Sequence, residues 1–597
     1  MPYYNPPIKD MQFLIQEYLK LSDYKTLPVL SELSDDLIEP ILSEAGRVCR
    51  DILLPLNQVG DHQGCILKNN NVVTPKGFDA AYDAFSQGGW TALNCHAQYG
   101  GQDMPLFLGS MVSEMASSAN MAFAMYPGLT HGAYSAIYAH GDTTQKDLYL
   151  PKLASGEWSG TMNLTEPHCG TDLGLLRTKA IPNEDHTSYQ ITGQKIFISA
   201  GDHTLSKNII HLVLARLPDA PAGVKGISLF IVPKFNINPD GTIGERNLVT
   251  CSKLEEKMGI HGNSTCVMDY DAATGYLVGE PNAGLKAMFV MMNEARLNVG
   301  IQGLSQSEIA YQNAVLYAKD RIQGRSLSGV KEPHKAADSI IHHPNIRRML
   351  MNAKAFNEGA RAFLGEIGLK IDISHHHSDE KIKASADAFV SLMTPIAKGY
   401  VTDKAFDITV QAQQIFGGHG YITEWGMEQY VRDSRIAMIY EGTNGIQALD
   451  LVGRKLPKNG GQAVMAYVGE ITDFINNHKE DKNLAKIMTG LEVCRDHLQK
   501  TCMWLMQNAM QDPEQAAAGS VSVMHIFGIT ALGFSWAKMA NIAHKALENN
   551  PQDAQFYHDK LITAQYFMDH YVPEVTTLSQ RVQAGKDSMM ALPNDSF

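Results

Sequence analysis

The stretch Tyr189-Gln190-Ile191-Thr192-Gly193-Gln194-Lys195-Ile196-Phe197-Ile198-Ser199 interleaves β-branched and aromatic residues with polar ones, the pattern of a half-buried strand. Residues 209–217 and 226–233 repeat this texture. Gly, Pro and Asp punctuate the runs, so the spacing predicts antiparallel strands, with turns at Thr192-Gly193 and Asp240-Gly241. On both sides the texture is helical. Apolar residues recur at helical spacing over 11–19 and 37–56, and residues 106–139 are rich in Ala, Ser, Met and Gly. Such small side chains suit closely packed buried helices, or the walls of a narrow cavity. Residues 88–101 read as a glycine-bearing loop. From Asn282 the helical texture returns and holds to the end. It is broken by the polar stretch 326–339, by His375-His376-His377-Ser378-Asp379 in a polar loop, and by a linker at 455–461. The order is therefore helices, a β domain, helices and more helices, with no internal repeat. Clefts form where such domains meet, and function is expected there.

A chain of 597 residues is too long for one hydrophobic core, and 44% hydrophobic with 19% charged residues is a globular composition. A net charge of −13 argues against non-specific binding to nucleic acid or to an anionic membrane surface. The start, Met1-Pro2-Tyr3-Tyr4-Asn5-Pro6-Pro7, has neither the basic and apolar regions of a secretory signal nor the pattern of a transit peptide, so a cytoplasmic location is expected. The longest apolar run, 521–537, contains His525, Thr530 and Ser535 and predicts a buried helix, with no integral membrane segment. Eight cysteines lie scattered without a close CxxC pair, which predicts reduced thiols and neither a disulfide frame nor a zinc site. The runs His342-His343 and His375-His376-His377 lack regularly placed acidic or cysteine partners, so no metal centre is expected.

Four segments carry chemistry. Ile439-Tyr440-Glu441-Gly442-Thr443-Asn444 sets one carboxylate among apolar and small residues, where its charged form is disfavoured and its pKa rises toward the range useful for moving protons near neutrality. Residues 162–172 lead from a strand into a turn with Pro167 and Gly170, whose N–H groups and the hydroxyls of Thr165 and Thr171 can hold a polar ring edge or a phosphate; a plain β-turn explains them as well. Gln414-Ile415-Phe416-Gly417-Gly418-His419-Gly420 allows a backbone to approach a pyrophosphate, although the spacing is not GxGxxG; a glycine-bearing helix terminus is the alternative. Arg321 and Arg325 end a helix, where they can pair with phosphates or complement the helix dipole.

Taken together these segments resemble the acyl-CoA dehydrogenase family of flavoenzymes. Residues 165–172 are similar to its TEPxAGSD segment, 189–199 to its YxxxGxKxxI(T/S) strand, 414–420 to its QxxGGxG segment, and Tyr440-Glu441-Gly442-Thr443 to its YEGT motif. The four occur in the family's order. The early Tyr3-Tyr4-Asn5-Pro6-Pro7 segment and the helical tail resemble a large bacterial subgroup that includes 3-methylmercaptopropionyl-CoA dehydrogenases and long-chain acyl-CoA dehydrogenases.

The resemblance implies a multidomain α+β fold. It comprises an N-terminal extension at 1–38, a helical N-terminal domain at 39–157, a middle antiparallel β domain at 158–285, a four-helix-bundle domain at 286–455 and an additional C-terminal helical domain at 461–597. It implies oxidation of a saturated acyl-CoA to the trans-2-enoyl-CoA with FAD as cofactor. Glu441 would take the α-proton while the β-hydride passes to flavin N5, and the Glu441 N–H and a ribityl hydroxyl would polarise the thioester oxygen. Met162, Leu164, Thr165, Gly170 and Thr171 would line the flavin or the CoA path, and Phe197 and Ser199 would contact the flavin ring. Arg321, Gln414 and Gly418 would hold the ADP half across a subunit interface, with Thr443 nearby. Thr171, Arg296, Glu441 and Gly442 would meet the substrate. A homodimer or dimer of dimers follows, with electron-transfer flavoprotein as electron acceptor. Three positions depart from the family pattern: Cys169 and Thr171 replace Ala and Ser, Phe197 stands where Trp is common, and Gly445 stands where many members carry Gln.

A medium or long straight-chain acyl group is expected, with a short thioether acyl group as runner-up. An acyl-CoA oxidase would share these motifs. A nucleic-acid-binding relative would need a basic tail, but residues 461–597 hold 10 Lys and Arg against 15 Asp and Glu, a net of −5.

Overall fold

The computed structural model describes every residue except Met1, Glu32, His186 and Met510, so Met1 and Glu32 of the expected N-terminal extension lie outside the described residues. The described chain forms two compact units, Ile41–Asn298 and Met1–Pro40 with Val299–Phe597.

Within Ile41–Asn298, strands β1 (Ile66–Lys68) and β2 (Asn71–Val73) make a hairpin. The main sheet uses β3 (Trp158–Asn163), β4 (Lys179–Pro182), β5 (Tyr189–Ser199), β6 (Asn208–Ala215) and β7 (Ser228–Pro233). A second hairpin, β8 (Phe235–Ile237) and β9 (Ile243–Arg246), turns at Asp240-Gly241, and β10 (Val249–Leu254) and β11 (Thr265–Val278) complete the sheet. Its order is β3-β6-β7-β11-β5-β4, with β10 on β11. All its pairings are antiparallel except β3 with β6, which run parallel.

Strands β6 and β7 are apolar on both faces because both faces are covered. Ile210, Leu212, Leu214, Leu229 and Ile231 pack with helical residues such as Ile137 and Leu150. The alternate residues Val213, Phe230 and Val232 pack with Ile191, Ile198 and Met268 of the other strands. Thr192-Gly193 is not the turn expected from sequence: both residues lie inside β5. Gly193 is small there because a Cβ would come 2.5 Å from Thr178 Oγ1, so the glycine serves a close strand approach.

The expected helices at 106–139 form one element, Leu106–His140, interrupted at Asn120 with φ −159° and ψ 90°. Asn120 caps the second arm: its Oδ1 accepts from Phe123 N at 3.0 Å, and its Nδ2 donates to Leu53 O at 3.3 Å. The glycine-bearing segment 88–101 folds into two tight turns, Trp90–Ala92 and Ala97–Tyr99.

In the other unit, helix Pro344–His376 extends through His375 and His376, so the polar loop is shorter than the histidine run predicts. The polar stretch 326–339 is a loop gathered on buried Asp338, whose carboxylate accepts from Ser326 N at 2.8 Å and Glu332 N at 2.7 Å. The apolar run lies in helix Pro513–Glu548, which begins at the Asp512-Pro513 cap. That helix is long and apolar enough to cross a membrane, yet 72% of its most apolar window is buried within the protein. Trp536 donates to Ala355 O at 2.8 Å, and Gly528 lies so close to Tyr400 that a Cβ would come within 2.1 Å of the ring. The eight cysteines form no disulfide.

The N-terminal segment is tied to this helical body by charge. Asp10 on helix Ile8–Phe13 pairs with Arg361 at 2.5 Å and with Lys560; Arg361 also reaches Glu308 at 3.0 Å, and Lys560 reaches Glu358 at 2.8 Å. Burial alone would raise the Asp10 carboxyl, but Lys560 and Arg361 outweigh it and hold it at about 2. Asp10→Asn leaves two buried cations facing a neutral amide and is expected to cost about 3–5 kcal/mol, read as a lower Tm at pH 7. Because the native carboxyl lies below its unfolded value, its contribution is complete above about pH 4 and fades as pH falls toward the native value. The Tm gap between wild type and variant should therefore narrow on acidification. A gap that widened would refute the pairing.

Candidate active site

Lys195 and Glu166 join two of the sequence segments. Lys195 is 0% exposed on β5, and Glu166, 3% exposed, sits in the turn after β3; Nζ lies 2.9 Å from Oε1. The same ammonium donates to Leu164 O at 3.0 Å. Glu166 also accepts from Arg177 N at 2.8 Å, Thr178 N at 3.0 Å and Thr178 Oγ1 at 2.6 Å. Burial works to raise the Glu166 carboxyl, but Lys195 and these donors bring it below its ordinary value. Burial pushes Lys195 down, Glu166 pulls it back, and it settles at about 8, still charged at neutral pH. Glu166 and Cys169 exchange backbone hydrogen bonds of 2.8 and 3.1 Å around Pro167-His168, and Ile196 N donates to Thr165 O at 2.9 Å. The turn is thus fixed from within and from β5.

This construction places Met162, Leu164 and Thr165 half-buried, and Gly170 and Thr171 exposed. Met162 and Leu164 pack on the buried cluster beneath the sheet. Glu166, His168 and Cys169 approach within 4.8 Å of one another, but Glu166 is already saturated by a lysine and three donors, so the trio holds a turn and not a metal.

At the far end of β5 the register against β11 slips between Cys266 and Met268, and Phe197 takes φ +60° with its ring 60% exposed. An aromatic residue in left-handed backbone with its ring in solvent costs free energy on both counts, which suits a face kept for a flat ligand. Half-buried Ser199 stands opposite Thr265, whose buried Oγ1 finds no hydrogen-bond partner among the described residues. Thr265 lines a cleft of about 550 Å³ between β1 and the β10–β11 connection. Thr265 was not foreseen from sequence, where a threonine in a strand carries no signal. An exposed ring, clustered hydroxyls and an orphaned buried hydroxyl fit a flavin.

Glu441 lies in a loop built by its own unit. Helix Met427–Arg435 and the turn Ile436–Met438 lead in; then Glu441 and Gly442 adopt φ +57° and +84°. Thr443 caps helix Asn444–Asp450, accepting from Ile446 N. Gln447 of that helix reaches back, its Nε2 donating to Glu441 O at 3.1 Å and Gly442 O at 3.3 Å. Only glycine fits at 442, since a Cβ would come 2.7 Å from Gln447 Nε2 in left-handed backbone. Glu441 is half-buried. Of the apolar residues that precede it, Ala437 is buried, Met438 and Tyr440 are half-buried and Ile439 is exposed. Burial first, then the Glu441 charge, pushes the Tyr440 phenol above its ordinary range, leaving it a neutral donor to Gln302.

Arg321, Gln414, Gly418 and Thr443 all lie in this unit with exposed side chains or open backbone. Tyr317 stacks on Phe416 at 4.1 Å and its hydroxyl meets His419 Nδ1 at 2.9 Å, which fixes the glycine-rich turn beside Gln414. Arg296 is buried on helix Gly284–Asp320, in the part belonging to Ile41–Asn298. The flavin-type residues from 162 to 199 and Arg296 therefore share one unit; Glu441, Gly442, Thr443 and the Arg321 group share the other.

Family models match most of the chain: acyl-CoA dehydrogenase N-terminal domain over residues 69–157, middle domain over 161–273, C-terminal domain over 282–456, and an acetyl-CoA dehydrogenase C-terminal-like domain over 467–593. The 3-methylmercaptopropionyl-CoA dehydrogenase of Ruegeria pomeroyi is 40% identical over 98% of this chain and 99% of its own length. A butyryl-CoA dehydrogenase of Syntrophomonas wolfei is 33% identical over 99% and 98%. Among solved structures, an acyl-CoA dehydrogenase from Bacillus anthracis complexed with FAD shares the fold, with TM-score 0.75 at 21% identity over 96% of this chain and 91% of that one. The chain belongs to the acyl-CoA dehydrogenase family. It is an FAD-dependent oxidoreductase, an acyl-CoA dehydrogenase of the form carrying an extra C-terminal helical region.

Lys195→Met would strand the Glu166 carboxylate in the β domain, a change worth about 3–5 kcal/mol. Protein with lower Tm and a reduced flavin-to-protein ratio is expected, partly restored in Glu166→Gln/Lys195→Met. Full FAD content at unchanged Tm would show that the pair does not hold this turn.

Proposed function

We propose that Glu441 is the base that removes the α-proton, and that the preferred substrate is a short linear acyl-CoA, 3-methylmercaptopropionyl-CoA foremost. The observation that carries the first part is the Glu441 loop itself: a non-glycine residue at φ +57°, its carbonyl held by Gln447. A strained, over-determined backbone at a carboxylate is how a base is preset for one geometry. Bound FAD supplies the acceptor for the β-hydride. The chain's own residues do the rest. Glu441 takes the proton at a carboxylate oxygen, and its backbone N–H donates to the thioester oxygen as charge develops there. Arg296, Thr171 and Gly442 orient the thioester and its carrier. Thr165, Gly170, Thr171, Phe197 and Ser199, with Met162 and Leu164, hold the flavin. Arg321, Gln414 and Gly418, with Thr443 nearby, hold the ADP half of a cofactor shared with a second copy, with electron-transfer flavoprotein as acceptor. Tyr421, 84% exposed beside the glycine-rich turn, and Leu327, 93% exposed in the loop after Arg321, support such a homodimer.

The proposed substrate is the runner-up of the sequence reading. The bend at Asn120 brackets a cavity of about 90 Å³, walled by Ala116 on one arm and Ala124 and Gly128 on the other. A dry cavity of about 150 Å³ takes the six heavy atoms of benzene, so by volume this one takes about four. Full-length relatives named for butyryl-CoA and 3-methylmercaptopropionyl-CoA support the same size.

Glu441→Gln is expected to keep FAD and bind acyl-CoA, while anaerobic flavin reduction slows by about 10²–10⁴. Near-normal reduction would end the assignment. Across a series of acyl-CoAs, kcat/KM should peak at butyryl or 3-methylmercaptopropionyl and fall at long chains; a maximum at long chains would reject the short-chain proposal. Substrate-reduced enzyme should reoxidise slowly in air, whereas rapid reoxidation with peroxide would mark an oxidase.

A further inference from the structure

Helices Glu380–Ile415 and Pro513–Glu548 cross at unusually close range, since a Cβ on Gly399 would come 2.2 Å from the Met524 sulfur. At this crossing His525 Nε2 lies 2.8 Å from Asp403 Oδ2. A carboxylate only accepts, so the imidazole nitrogen is the donor. The other oxygen, Asp403 Oδ1, accepts from Asn444 Nδ2 at 2.6 Å. The Asn444 amide group also faces Thr402 Oγ1 at 2.9 Å and Gly399 O at 3.0 Å, while its carbonyl accepts from buried Lys398 at 2.6 Å. Asn444 is therefore pinned on both ends of its amide. It opens helix Asn444–Asp450, the helix whose Gln447 holds the carbonyls of Glu441 and Gly442.

We propose that the C-terminal helical region positions the Glu441 loop through a chain of side chains, His525 to Asp403 to Asn444. The proposal rests on Glu441 as base and assigns the added region a part in the reaction. His525, Asp403 and Asn444 are positioning residues. The constraint is rotational. Asp403 has one oxygen on each neighbour, so its carboxylate is locked; without His525 it turns toward solvent and Asn444 Nδ2 loses its shortest acceptor. A displacement of about 1 Å at a reacting group costs about 100-fold, so a fraction of that displacement is readily measured.

The test uses full-length holoenzyme and four readouts: rate of anaerobic flavin reduction, acyl-CoA Kd, deuterium isotope effect at the α-carbon, and Tm. His525→Ala should slow reduction by about 10-fold with Kd and FAD content within about 2-fold, and raise the isotope effect as proton removal becomes more limiting. His525→Gln keeps a donor for Asp403 and should recover most of the rate. Asp403→Asn should slow reduction similarly, and the double variant His525→Ala/Asp403→Asn should lose no more than the worse single, because one chain is broken only once. His544→Ala, on the same helix but facing Asp481, should leave reduction unchanged. Reduction within 2-fold of wild type in His525→Ala, equal losses in the Ala and Gln variants, or additive losses in the double variant would each overturn the chain. Should His525→Ala fail to fold, His525→Gln and Asp403→Asn decide alone: near-wild-type reduction in the first with a loss in the second supports it, and any other pair of results overturns it. Failure of the base assignment is separate, since it appears as undiminished reduction in Glu441→Gln whatever His525 does.

Discussion

Helix Pro513–Glu548 can be stable only inside the protein, and that constraint organises the larger helical unit. Its apolar length cannot face water, so neighbouring helices must close around it, and they do so with complementary shape: Tyr400 lies against Gly528, and Trp536 is buried with its indole N–H bonded to Ala355 O. A region that reads as an appendage in sequence is therefore a core. Packing of this kind leaves few places for polar groups, and two charged or ionisable ones along this helix are paired. His525 meets Asp403, and Lys538 meets Glu366 at 2.9 Å. Each such pair fixes the relative position of two helices more narrowly than apolar contact can, because a hydrogen bond has a direction.

The same logic runs through the β domain. Lys195 and Glu166 are buried together, and the unpaired state of either would be costly, so the turn at 165–169 and strand β5 cannot separate. His203 and His211, both fully buried and pushed by burial down to about 3, stay neutral and bond Ser159 at 3.0 Å and Thr161 at 2.8 Å. They brace β3, the strand that delivers the turn. Phe197 in this domain and Glu441 in the other unit are among the non-glycine residues held in left-handed backbone. Strain of about 1–3 kcal/mol at each persists because the surroundings determine it: a register slip between long strands at Phe197, and the Gln447 amide at Glu441.

Much of this was legible in the sequence, for reasons of periodicity and local chemistry. Alternation of apolar residues over 189–199 specifies a strand wherever that strand is placed, and the long apolar run at 521–537 specifies a buried helix. The order of the motif residues carried the family, the reaction and the cofactor. Where local reasoning failed, packing had overruled it. Thr192-Gly193 has turn chemistry, yet its glycine is there because Thr178 comes too close for a side chain. Ile439 looks like a wall beside Glu441, but it follows the turn Ile436–Met438 with its side chain exposed.

The sequence by itself determined the elements, their order and the kind of chemistry, because helix and strand periods, caps and a motif's spacing are properties of neighbouring residues. Only the tertiary structure decided which charges meet. Asp10 and Lys560 are 550 residues apart and Asp403 and His525 are 122 apart. No local pattern marks one buried carboxylate for one cation among 50 lysines and arginines. Those pairings exist because folding removes water from particular groups together, and a charge or donor without water must find its partner in the chain. The Glu441 loop follows the same division: its residues name the base, and the amides of Gln447 and Asn444, set by the packing of distant helices, decide where that base stands.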